Sequence, residues 1–228
     1  MFHFAPLPTW AFALGVFTSL FSVMNPPSAS IVFAGATAGM DARRLRRAAF
    51  RASLTATIAM LTFALLGRLL FSFFGFTALA MRFVGGMLVM YSALGMIYGQ
   101  DPHVKDASRE DGADPGRTQD DLAIIPLGIP MLAGPGTIST VMGIIAGLSL
   151  SEDVVVLLAI IVLGAVCHLF LAQSHWVVTR LGNTGTKVLT KLMGLILAAV
   201  AMQFLINGVK GVATEIRQAA QVEVKAAH

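Results

Sequence analysis

Val23-Met24-Asn25-Pro26-Pro27-Ser28-Ala29-Ser30 interrupts the first long apolar stretch of the chain. Proline lacks an amide hydrogen and clashes with the preceding turn, so Pro26-Pro27 should break any helix running from Trp10 to Ala38. Inside a membrane such a break leaves backbone groups unpaired, at several kcal/mol each when they face lipid. It is tolerated where it is buried in protein or lines a polar cavity. A second break, Ala133-Gly134-Pro135-Gly136-Thr137, lies in the fourth apolar stretch. The pair is the candidate working site.

The surrounding chain is built for a bilayer. Hydrophobic residues make up 56% of its 228 positions and charged residues 12%, about half the charged share of a soluble domain. Several apolar runs reach the ~20 residues that span a hydrocarbon core. No segment alternates in the manner of a β-barrel strand. The net charge of +4 is modest and is not the footprint of a nucleic-acid binder. One cysteine, Cys167, excludes an internal disulfide and a cysteine-rich metal site. The first residues lack a basic n-region, so the first span is not expected to be a cleaved signal.

Hydropathy places six spans at roughly 9–39, 48–71, 76–99, 123–148, 154–178 and 186–208. The first is too long for one upright helix and reads as two half-helices joined near Asn25. The fourth carries Pro126, Pro130 and Pro135 and reads the same way, with re-entrant hairpin tips as an alternative for either break. Gln100 to Asp121, rich in Asp, Gly and Arg, has the composition of a linker. The expected organisation is 1–99, a cytoplasmic linker at 100–122, 123–208, and a C-terminal tail at 209–228 that suits a short surface helix. Arg43, Arg44, Arg46, Arg47 and Arg51 dominate the basic side, which the positive-inside rule assigns to the cytoplasm. Both termini are then expected outside.

Laying Pro135 on Pro26 superposes the two halves without a gap. Arg82 then falls on Lys191, Gly85 on Gly194, Gly99 on Gly208, Ser28 on Thr137 and Ser30 on Ser139. Each half holds three spans, an odd number, so the second must insert upside down. The expected fold class is therefore all-α: six transmembrane helices in two inverted three-helix repeats, with broken helices in spans one and four.

Asn25 suits an N-cap and Pro26 the first helical position, so a new half-helix can start there. Gly134 and Pro135 repeat that logic, and Gly136 lets a ligand approach the backbone. Inverted halves would aim two positive helix ends at one centre, which suits a carboxylate. Ser28, Ser30, Thr137 and Ser139 add hydroxyls on the same turns, with Met24, Met131 and Leu132 as an apolar wall. The bland alternative is a pair of kinks healed by Ser and Thr. Gln203 and Asn207 lie one turn apart, fit to line a cavity or join helices. Arg82 and Lys191, near the starts of their spans, read first as interfacial anchors. His168 reads as a packed, hydrogen-bonded histidine, with a proton relay as the alternative, and Gln173 as a lone polar group. No acidic residue falls within any span, and enzyme signatures are absent, so neither a catalytic nor a cofactor role is expected.

Met24-Asn25-Pro26, Pro126-Leu-Gly-Ile-Pro130-Met-Leu-Ala-Gly134-Pro135-Gly136-Thr-Ile-Ser139, and Gly194 through Gln203 to Asn207-Gly208 resemble the MarC/SnatA family of bacterial inner-membrane proteins. The resemblance runs from about Trp10 to Gly211. That family is similar to the LysE-type transporter group, and one branch is linked to small neutral amino acids. The resemblance implies six spans, a plasma-membrane location and transport of a small solute. Pro27 departs from it, standing where Ile or Val is commoner. The expected partners are a small-molecule solute and the lipid bilayer, with no nucleic acid. A homo-oligomer is compatible with the sequence. The alternative function is a non-transporting membrane scaffold or sensor.

Overall fold

The structure is a computed structural model that describes residues 9–75, 77–99, 132–146 and 148–226. All regular structure among these residues is helical: α1 (Thr9–Met24), α2 (Pro26–Ala36), α3 (Ala42–Phe74), α4 (Ala78–Tyr98), α5 (Pro135–Ile145), α6 (Leu150–Ala172) and α7 (Ser174–Ala226). Among the described residues, five helical segments are long and apolar enough to cross a membrane: Trp10–Ala36, Ala42–Phe74, Leu79–Tyr98, Glu152–Ala172 and Thr184–Gln218. The protein is an integral multi-pass membrane protein. Of the fourth expected span, 123–131 and the linker at 100–122 lie outside the described residues. Its described part, 132–146 and 148, holds the 11-residue α5.

Several boundaries differ from the hydropathy reading. The arginines from Arg43 to Arg47 sit on the first turns of α3 rather than in a loop, with Asp41 at its N-cap. Hydropathy sees the charges and stops, whereas the backbone continues, because arginine is a good helix former. The fifth span ends at Ala172, and α7 runs on from Ser174 to Ala226 across a single non-helical residue, Gly182 at φ 62°. The expected separate tail helix is thus the continuation of α7.

Helix α3 shows why the surface is apolar. Ala49, Ala52, Ala56, Met60 and Ala64 repeat at helical spacing and are buried, while Ile58, Leu65, Leu69 and Phe73 on other faces are exposed. Small side chains point inward, where helices approach closely, and large ones outward, where lipid is the solvent. The main core joins α1, α2, α3, α5 and α6 through Leu20, Phe33, Met60, Val141, Ile160 and Leu163, with Leu132 ahead of α5 packed into it. A smaller cluster joins α1, α4 and α7 through Val23, Val89, Ala93, Met96, Leu197 and Ala201.

Two long antiparallel pairs frame the molecule. In the α3–α6 pair, Thr57 lies against Gly164, Phe50 stacks edge-on to His168 at 5.7 Å, and Arg68 meets Asp153 at 2.8 Å. In the α4–α7 pair, Gly194 meets Met96, Gly86 meets Leu205 and Gly208 meets Phe83. At one end, Arg68 also donates to the Leu148 carbonyl at 2.6 Å. There the Glu152 carboxylate accepts from the Ser149 amide at 2.8 Å, which caps α6. Because Arg68 is partly exposed, Arg68→Ala should cost only about 0.5–1 kcal/mol. A lowered melting temperature in detergent, with the deficit shrinking at high salt, is the expected result.

Candidate functional site

One residue, Asn25, separates α1 from α2. Asn25 takes left-handed φ 50° and ψ 60°, the only non-glycine with positive φ among the described residues. Proline disfavours the right-handed helical region in the residue before it, and Asn tolerates the left-handed one. Backbone bonds bracket the step, Asn25 N–H to Phe21 O at 2.8 Å and Ala29 N–H to Asn25 O at 3.0 Å. Asn25 occupies the expected cap position, but its side chain makes no cap bond. Its Nδ2 instead points to Met96 Sδ at 3.8 Å, and its buried Oδ1 has no partner. The left-handed backbone carries the side chain away from the α2 amides, so the side-chain cap expected from sequence is not made.

At the other break, Gly134 is the N-cap in an extended conformation and Pro135 opens α5. Helix α4 relates the two. A Cβ on Gly136 would touch Val89, and Gly85 and Arg82 lie successively against Ser139 and Gly143, so α5 runs antiparallel to α4. Asn25 meets Met96, seven residues beyond Val89, about 10 Å along the same face. Helix α2 leaves in the opposite direction, since its C-cap Thr37 meets His175 at the start of α7 at 3.3 Å. The starts of α2 and α5 are therefore their near ends, and their C-termini the far ones.

The donors at these ends are fewer than two ordinary helix starts supply, where four amides each lack helical partners. In α2, Pro26 and Pro27 have no N–H and the Asn25 amide is taken, which leaves Ser28. In α5, Pro135 has none and Ile138 N–H bonds Gly134 O at 3.0 Å, which leaves Gly136 and Thr137. The hydroxyls divide as well. Ser28 Oγ is buried without a partner. Ser30 Oγ donates to Pro27 O at 2.6 Å and is consumed within its own turn. Thr137 is buried at the α5 start, and Ser139 faces Gly85 one turn on. Met24 and Leu132 are buried nearby in the core, while Met131 lies outside the described residues.

The remaining polar residues go elsewhere. Gln203 Nε2 donates to Asn207 Oδ1 at 3.0 Å on an exposed part of α7, so the pair satisfies itself and the structure does not bring it to the two breaks. His168 is packed against Phe50 as expected, but its Nδ1 is buried without a hydrogen-bond partner. Gln173 is exposed at the α6 C-cap. Arg82 and Lys191 part company: Lys191 is exposed, whereas Arg82 is half-buried and lines a small cavity with Met81, Gly85, Ser139, Thr140, Gly143, Ile144 and Phe204. Gly143 of α5 leaves room for the Arg82 stem, where an added Cβ would lie 3.8 Å from its Cγ. The Thr37–His175 contact had no signal in the sequence, since neither residue stands out alone.

Comparison with known proteins gives the lineage. A profile of MarC family integral membrane proteins matches residues 10–213. A UPF0056 membrane protein of Pyrococcus abyssi is 35% identical over 196 residues, 86% of this chain and 93% of its own. UPF0056 membrane protein YvbG of Bacillus subtilis is 33% identical over 89% of this chain and 96% of its own. UPF0056 membrane protein YhcE of Escherichia coli is 30% identical over 86% and 91%. No solved structure matches. With its motifs, its apolar helices and these relatives along nearly its whole length, the chain belongs to the MarC family of integral membrane proteins.

Proposed function

We propose that the protein is a secondary transporter of small solutes, with small neutral amino acids as the expected class. It would hold the solute between the starts of α2 and α5 and carry it without chemistry or cofactor. The observation that carries the reading is the unpartnered Asn25 Oδ1 and Ser28 Oγ, both buried at the first of these starts. A buried polar atom without a partner costs about 1–3 kcal/mol, and a bound solute would supply the missing partner. In this reading the chain is an inverted repeat of six spans in a bacterial inner (plasma) membrane, with both termini outside the cytoplasm. Two facts support it. Helices α2 and α5, related by the repeat, each have 11 residues. The helices paired antiparallel, α3 with α6 and α4 with α7, are also those related by the repeat. Rocking one half against the other would then alternate access.

Counterflow in proteoliposomes with labelled alanine, glycine and serine is the direct measurement. Ser28→Ala is expected to raise KM about tenfold, as the loss of a buried hydrogen bond implies. Ser30→Ala should leave it within twofold, because that hydroxyl already bonds its own helix. Failure to carry any of these, or any of a wider solute panel, would end the transport reading. The second reading, a membrane scaffold or sensor, is favoured by one observation: Pro26 is packed with essentially no accessible surface. It requires that no solute be carried.

A further inference from the structure

Helices α2 and α5 each end against a basic side chain supplied by the opposite half of the chain. The His175 ring meets Thr37, the C-cap of α2, at 3.3 Å. Arg68 of α3 donates to the Leu148 carbonyl, just past α5, at 2.6 Å and meets Asp153 at 2.8 Å. We propose that Arg68 and His175 are a pair of gate latches: positioning residues that each hold one face of the molecule shut and let go in turn as a solute crosses.

The two contacts share a chemistry. A helix C-terminus leaves carbonyls unpaired and carries the negative end of the dipole, so a cation or a donor is favoured there. Arg68 supplies a charged donor. At Thr37 a neighbouring bond settles the direction. The Thr37 hydroxyl hydrogen goes to the Phe33 carbonyl at 2.7 Å, so towards the ring the hydroxyl can only accept, and His175 Nε2 must carry the hydrogen. Neither contact is strong: one is a part-exposed ion pair and the other a single hydrogen bond. That suits contacts broken and remade in every cycle.

Placement makes them a pair. Thr37 lies five residues before α3 begins at Ala42, and Arg68 lies 26 residues after that start, about 39 Å along the helix. The contacts therefore sit at opposite ends of α3, further apart than a hydrocarbon core is thick. In the superposition of the halves, His175 falls on Leu66 and Leu148 on Gly39, so each member of one latch lies two positions from its counterpart in the other. Both contacts run between the halves, from α2 to α7 and from α3 to the end of α5 and the start of α6. Neither face can open between the halves without parting the contact there.

This inference rests on the alternating-access part of the transport reading, and it is tested by distances, without a solute. Double electron–electron resonance is recorded on the full-length protein in nanodiscs. Cys167 is fully buried and stays unlabelled. Spin labels at Ala38→Cys with Arg180→Cys report the His175 face, and at Ser72→Cys with Val154→Cys the Arg68 face; all four positions are exposed. His175→Leu should enlarge the long-distance population of the first pair about two- to tenfold and leave the second pair as in the wild type. Arg68→Leu should do the converse, by about two- to fivefold. His175→Gln and Arg68→Lys, which keep a donor, should stay close to the wild type. Side chains that only add stability would loosen both faces alike. That outcome, or no change at either pair, overturns the latches. Should His175→Leu fail to fold, Thr37→Val removes the acceptor instead, and unchanged distances at the first pair then overturn the proposal. Counterflow with neither face opening sinks the latches alone, whereas single faces that open without counterflow of any solute sink the transport reading alone.

Discussion

Gly164→Ala is expected to be the most destabilising single-methyl change in the α3–α6 pair. A Cβ built there runs into Thr57 Oγ1, with Thr57 Cβ and Cγ2 both 3.2 Å away. Thr57 has little freedom to yield. It is β-branched, and its hydroxyl donates to the Ser53 carbonyl at 2.8 Å, which fixes its rotamer. The helices must part instead. Overpacking of this kind costs about 1–3 kcal/mol, and here it acts on a seam that runs the length of two spans. Thermal unfolding in one detergent gives the measurement, and Thr57→Ala provides the internal check. The double variant Gly164→Ala with Thr57→Ala should recover most of the loss, giving a coupling energy well above ~0.5 kcal/mol. Additive losses would mean that the glycine is there for another reason.

Asn25 should separate backbone from side chain in the largest functional effect. Asn25→Gly keeps the left-handed step at φ 50° without strain. It removes the buried amide that faces Met96. The protein is expected to fold and insert, while solute transport falls by a factor of a hundred or more. Asn25→Val removes the amide and also places a β-branched residue in left-handed space, a genuine strain for that side chain. It should lower the melting temperature as well, by the equivalent of about 1–2 kcal/mol. Wild-type transport by Asn25→Gly would show that the amide only fills space.

The fold was legible in proportion to how categorical its signals are. Proline at 26 and 135 forbids the preceding hydrogen bond whatever the context, so the starts of α2 and α5 fall where those residues stand. The apolar runs were equally plain, although charge misled their ends: Arg43 to Arg47 looked like a loop and form the first turns of α3. The site was half legible. Ser28 and Ser30 looked alike in sequence, but two residues along a helix is a rotation of about 200°. One hydroxyl is left unpartnered, and the other turns back to its own carbonyl. Arg82 looked like Lys191, yet one is half-buried against Gly143 of a different segment and the other is exposed. Gln203 and Asn207 were read correctly as neighbours on one face. Which way that face points was not legible, because α7 is apolar around its circumference in the bilayer and hydropathy there has no phase.

The α4–α7 seam carries a consequence for how this sequence can change over time. Gly86, Gly194 and Gly208 each sit where a methyl group would press on Leu205, Met96 or Phe83. In lipid, helices gain little from hiding apolar surface from one another, and close contact itself holds them together. Added bulk is then what the seam cannot accept. A glycine exchanged for alanine fails here by its bulk alone, although the new methyl is as apolar as its surroundings, and serine fails by that bulk first.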